Sequence, residues 1–236
     1  MLGTALVVFA NSACGDRLPP GVRVIYLRPP AYANRPPDSG PYSLQDIETV
    51  RGLARIGDGD AQANLGIMLA SRGEYAQAVY WYRQAAQAGV AVAAYNLGTM
   101  YFNGQGVPKD DLEGHRWFMQ AAKRGYASAE FGLAMTYFNG QGVQRDPVQG
   151  IAWYEKAARR GLPAAQFNLA VVYANGDGVA ADPVKAYAWM LLAQKNGLDA
   201  SGALATIAGR MTPAQLAAAE ALSRKWSSGF ALRARQ

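Results

Sequence analysis

Ala93-Ala-Tyr-Asn-Leu-Gly-Thr-Met-Tyr-Phe-Asn-Gly-Gln-Gly-Val-Pro-Lys-Asp110 decides the fold, because it returns twice. Residues 129–146 and 165–182 repeat its Leu, Tyr, Gly-x-Gly-Val and Asp in register. Leu97, Leu133 and Leu169 step by 36 (133−97, 169−133), as do Tyr101, Tyr137 and Tyr173, and Asp110, Asp146 and Asp182. Gly89, Gly125, Gly161 and Gly197 keep the same step, and so do Trp117, Trp153 and Trp189. A period of this length means stacked supersecondary units. Such stacks present long concave surfaces to other molecules.

Within one period the signals spell two antiparallel helices. Ala93, Leu97 and Tyr101 lie four apart, on one face of a helix spanning about 91–103. Gly98, Ala134 and Ala170 beside that face admit a close neighbour. The Asn-Gly pairs at 103–104, 139–140 and 175–176 predict a left-handed stop. A second helix starts after Asp110, Asp146 and Asp182, followed in two cases by Pro147 and Pro183, the N-cap and first-turn preferences of a helix. It closes at the repeat glycine. Four repeats result, 57–88, 89–124, 125–160 and 161–197; the first lacks the Gly-x-Gly-Val loop and carries Arg72-Gly73-Glu74 instead.

Outside the array the pattern changes. Residues 2–10 form an apolar run too short to span a bilayer as a helix. With Asn11-Ser-Ala-Cys14 behind it, 1–15 reads as a signal or lipoprotein-like segment, although a basic start and a Leu-like residue at Asn11 are missing. Cys14 is the candidate lipidation site. Residues 16–42 hold Pro19–Pro20, Pro29–Pro30, Pro36–Pro37 and Pro41, a proline-rich linker with one edge strand at most, Val22–Leu27. Ser43 opens a capping helix over 43–56. Capping helices fill 198–228, with a Thr212-Pro-Ala-Gln215 capping box and an end near Trp226. A loose basic tail, 229–236, follows.

Composition excludes several chemistries. Cys14 is the only cysteine and His115 the only histidine, so neither an intrachain disulfide nor a Cys/His zinc site is expected. No metal and no cofactor is expected. Asn175-Gly-Asp-Gly178 lacks the ligand count of a calcium loop, and no Gly-Lys-Ser/Thr follows the glycine loops. The formal charge is +6. That balance suits acidic partners or an anionic membrane surface. Lys123–Arg124 and Arg159–Arg160 stand at predicted helix ends, where they complement the helix dipole. With no basic stripe, nucleic acid is not an expected partner. His115 reads as a partly buried residue with a backbone partner. Trp81, Trp117, Trp153 and Trp189 read as inter-helix core, because each repeat must bury the same seam.

The pattern Ala-x-x-Asn-Leu-Gly-x-Met-Tyr-x-x-Gly-x-Gly-Val-x-x-Asp, closed by Trp-x-x-x-Ala-Ala-x-x-Gly, resembles the Sel1-like repeat family, a cousin of the tetratricopeptide repeats. Gly132 departs from it, standing where 64, 96 and 168 carry Asn. The resemblance implies an all-α fold, a right-handed superhelix of stacked antiparallel helix pairs with caps. It also implies a non-catalytic adaptor that binds a partner protein or peptide in its concave groove. Bacterial relatives are often exported, so a periplasmic or otherwise exported location is expected, with the cytoplasm as the alternative. By analogy with tetratricopeptide repeats, the first helix of each pair lines the groove. Asn64, Val92, Tyr95, Asn96, Thr99, Phe102 and Asn168 are then the candidate partner-binding residues. Two alternatives stand beside this reading. One is a structural envelope component tethered to the membrane through Cys14. The other is a weak β-lactamase-like or cell-wall-peptide-binding protein, although the paired cysteines of such relatives are absent.

Overall fold

The computed structural model describes residues 47–233. The expected signal segment with Cys14, the proline-rich linker with its Val22–Leu27 strand, the Ser43 cap and residues 234–236 lie outside them. Among the described residues there are eleven helices and no strand. They are α1 (Ile47–Arg55), α2 (Gly59–Ser71), α3 (Tyr75–Gln87), α4 (Ala91–Asn103), α5 (Asp111–Lys123), α6 (Ala127–Asn139), α7 (Pro147–Arg159), α8 (Pro163–Asn175), α9 (Pro183–Lys195), α10 (Ser201–Ala208) and α11 (Pro213–Arg233).

The described chain forms two compact units, α1–α6 and α7–α11. In the first, each helix packs on the next from α1 through α6. In the second, α7 packs on α8, α8 on α9, and α9 on both α10 and α11.

Local chemistry sets these boundaries. The Asp58, Asp110 and Asp182 carboxylates accept from the backbone N–H three residues on, at 2.8, 3.0 and 3.0 Å. Each satisfies a donor that the first helical turn leaves open. Gly104, Gly140 and Gly176 end α4, α6 and α8 in the left-handed region; the preceding Asn does not enter it. Thr212 and Gln215 exchange reciprocal bonds at the start of α11. That helix continues through Gly229 to Arg233, past the expected stop near Trp226. Trp226 itself stacks on Trp189 at 4.4 Å between centroids.

The second loop glycine has a packing role. At Gly106 (φ 71) an added Cβ would stand 2.5 Å from the carbonyl of Tyr75, the first residue of α3. At Gly142 it would overlap the Asp111 carbonyl at the start of α5, and at Gly178 it would stand 2.5 Å from Pro147 Cβ at the start of α7. Each loop therefore lies against the start of the second helix of the repeat before it, backbone-to-backbone at Gly106 and Gly142.

The leucine column is fully buried, with Leu65, Leu97, Leu133 and Leu169 at 0% exposure. Each contributes roughly 1.5–3 kcal/mol by leaving water. Ala61, Ala93, Ala129 and Ala165 are equally buried, and their small side chains let neighbouring helices approach.

Candidate protein-binding surface

The seven candidate residues of the leading helices divide by exposure. Tyr95, Asn96, Thr99, Phe102 and Asn168 are buried, whereas Asn64 and Val92 are half-buried. The Tyr95 ring stacks on Phe118 at 5.1 Å and tilts against Tyr126 at 5.3 Å. Phe102 meets the same Phe118 ring at 4.9 Å. Thr99 Oγ1 donates to the Tyr95 carbonyl, and Asn168 Nδ2 donates to Tyr154 Oη at 3.1 Å. Nearby polar side chains act as clamps between helices. Gln62 donates to the Ala54 carbonyl and Gln166 to the Ala158 carbonyl, each near the end of the preceding helix.

The Asn168–Tyr154 bond exposes a pairing rule with an offset of 14 (168−154). The same offset sets Asn96 against Tyr82 and Gly132 against Phe118 in sequence, although the Tyr82 hydroxyl makes no hydrogen bond to Asn96. Where tyrosine supplies a hydroxyl, asparagine stands opposite in sequence register. Where phenylalanine supplies none, glycine stands, and a Cβ there would collide with the Phe118 ring. Asn64 breaks the rule, because its register partner is Val50. Its Nδ2 is buried with no hydrogen-bond partner.

The two asparagines should therefore respond oppositely to Leu. Asn168→Leu removes a bond inside the seam and should cost about 1–3 kcal/mol. Asn64→Leu removes an unsatisfied buried amide and should gain about 1 kcal/mol. Denaturant melts of the two variants measure both. Equal losses would contradict the pairing rule.

The tryptophan slot corrects the sequence reading. Only Trp189 lies in the core; Trp81, Trp117 and Trp153 are half-buried, and Lys156 Nζ sits 3.6 Å from the Trp153 centroid. The seam is filled by the next position, Tyr82, Phe118, Tyr154 and Met190, all buried. Recurrence of Trp marks a constant environment in each repeat, and that environment is the edge of the seam.

His115 is buried, with a side chain as its partner in place of the expected backbone group. Thr136 Oγ1 donates to the Leu133 carbonyl at 2.8 Å, so the imidazole Nδ1–H donates to Thr136 Oγ1 at 2.9 Å. The ring meets Tyr137 edge-on at 5.3 Å. Burial holds its pKa below the ordinary range. The unfolded chain thus takes up the proton first, and stability that is full above the unfolded pKa, near 6.5, is lost as pH falls from there through the lowered folded value. Denaturation midpoints should drop as pH falls below about 6.5, and drop less in His115→Gln. A flat wild-type profile would contradict this. In the second unit, burial and then the Glu155 carboxylate push the Tyr173 phenol up to about 12; its hydroxyl donates to Glu155 Oε1 at 3.2 Å.

No group of three or more His, Cys, Asp or Glu side chains placed to hold a metal occurs among the described residues. In the 175–178 turn, Asn175 Nδ2 donates to Asp177 Oδ2 at 3.4 Å.

Comparison with solved structures finds two informative likenesses. The Sel1 repeat protein from Oxalobacter formigenes is 29% identical, with a TM-score of 0.58, over 66% of this chain and 72% of that one. A protective antigen present in uropathogenic Escherichia coli strains, c5321, displaying an SLR fold, is 28% identical with a TM-score of 0.52. That likeness covers 80% of this chain, which spans about half (49%) of the antigen. Comparison with curated proteins finds no match. The Sel1 repeat model matches residues 59–90, 91–126, 127–162 and 163–198. These windows open on the first residues of α2, α4, α6 and α8, the leading helices of the four pairs. With this register carried through more than half of its length, the chain belongs to the Sel1 repeat family.

Proposed function

We propose that this chain is an exported adaptor that holds a partner protein on its repeat array, tethered at the membrane through Cys14. Proteins built of Sel1 repeats are in general protein-interaction scaffolds. One observation carries the reading furthest: the leucine and alanine columns that recur between repeats are fully buried. Their recurrence is accounted for by stacking. Several solvent-reaching positions differ from repeat to repeat, such as Glu113, Gln149 and Lys185, and such variation suits recognition of one partner. Of the candidate residues, Asn64 and Val92 keep exposed surface, while Tyr95, Asn96, Thr99 and Phe102 in the first unit and Asn168 in the second are buried. The apolar 2–10 run, Cys14 and the proline-rich spacer support the tether.

The test is photo-crosslinking in the source cell from a reactive residue at Val92, with wild-type chain and Cys14→Ser. A single partner captured in the membrane fraction, and lost from that fraction with Cys14→Ser, supports the reading. Cytosolic recovery of the unprocessed chain alone would overturn the tether. Failure of any captured protein to rebind purified chain would overturn the adaptor role.

A further inference from the structure

One face of α5 takes little part in the seam. His115, Arg116, Met119, Gln120, Lys123 and Arg124 line an open cavity of about 620 Å³. Spacings of four and eight bring them to one side of the helix. The lining holds three cations and no carboxylate.

The neighbouring α3 positions these groups. Gln120 Nε2 donates to the Ala86 carbonyl at 2.9 Å, in the last turn of α3. The Arg124 guanidinium lies over Gly89, just past that helix, where an added Cβ would be 2.8 Å from either terminal nitrogen. The negative end of the α3 dipole favours a cation there. Arg116 is paired one turn back with Glu113 at 2.6 Å. Lys123 and Arg124 form no ion pair with a described carboxylate. In the cavity wall, His115 has Nδ1 committed to Thr136, which leaves Nε2 as its remaining polar atom.

We propose that this cavity binds an acidic segment of a partner protein, its carboxylates held by Lys123 and Arg124. A guanidinium presents the paired donors that match a carboxylate. Gln120 keeps its oxygen to accept a peptide N–H, and Met119 offers an adaptable apolar wall for the stem of a glutamate. Nucleic acid fits less well, because the lining has no aromatic platform such as Tyr, Phe or Trp on which bases stack. The biological role of the site rests on the adaptor reading; the binding itself does not.

His115 is the only imidazole in the sequence and reports on the cavity directly. Blocked hexaglutamate is titrated into the full chain at low salt and followed by proton NMR, with hexaglutamine as control. Hexaglutamate alone should shift the His115 signals and raise the His115 pKa. The Lys123→Gln/Arg124→Gln variant should bind about tenfold more weakly, as expected for the loss of two exposed charge pairs. Unmoved His115 signals, equal affinity of the variant, or tighter binding of a short single-stranded DNA would each overturn the proposal. The two readings fail separately. A cellular partner captured equally by the variant overturns the cavity and leaves the adaptor. Charge-dependent hexaglutamate binding with no partner in cells supports the cavity and overturns the adaptor.

Discussion

Phe118→Ala is expected to cost about 3–5 kcal/mol, with Trp153→Ala costing about 1 kcal/mol. Phe118 is buried, stacks on Tyr95 and meets Phe102. Its ring also fills the space over Gly98 and Gly132, where an added Cβ would meet it. Truncation removes apolar burial and two aromatic contacts, each worth roughly 0.5–1.5 kcal/mol beyond area. Glycines on both sides cannot refill the hole. Trp153 is half-buried, and its visible partner is a lysine. Denaturant melts followed by circular dichroism measure both. A Phe118→Ala loss under about 1 kcal/mol, or a larger loss from Trp153→Ala, would contradict the assignment of the seam.

Gly142→Ala is expected to cost about 3 kcal/mol or more, against about 1–2 kcal/mol for Gly73→Ala. Both glycines hold positive φ, 70° and 79°. A side chain at Gly73 meets open space, so only backbone strain is added. At Gly142 the new methyl overlaps the Asp111 carbonyl, and the loop must lift off α5. Lifting also breaks the bond from Gln141 Nε2 to Asp111 Oδ1, 3.1 Å. Repeat arrays are stabilised by interfaces between neighbours, so the damage should appear in the cooperativity of unfolding as well as in its midpoint. Equal losses for the two variants would show that the loop contact contributes nothing.

The elements most legible in the sequence were those set by local chemistry. Asp110, Gly104 and the Leu97 column act through one or two turns of chain, and their recurrence repeated the signal. The seam was harder to find. Its position carries Tyr82, Phe118, Tyr154 and Met190, and this variation hides beside the constant tryptophans. The variation has a partner 14 residues on, in Asn96, Gly132 and Asn168, so a two-position reading would have found it. The α11 extension was missed because Ser227-Ser228-Gly229 has the composition of a stop. Trp226 stacking on Trp189, and Lys195 Nζ donating to Ser227 Oγ at 2.7 Å, hold the helix beyond that point. The α5 cavity was missed for another reason. Lys123 and Arg124 suffice as dipole partners in sequence, and only the packed α3 end brings Gln120 and Gly89 beside them.

The central claim is that recurring residues build the stack and outward residues bind a partner. Measuring denaturation midpoint and partner affinity together, on the same purified variants, tests it most directly. Leu97→Ala and Phe118→Ala should lower the midpoint. Lys123→Gln/Arg124→Gln should lower affinity about tenfold while moving the midpoint far less than Phe118→Ala does, the lost dipole contacts being worth about 0.3–1 kcal/mol each. If affinity falls only in proportion to the midpoint, across every variant, binding is a by-product of folding and the account of this chain as an adaptor is wrong.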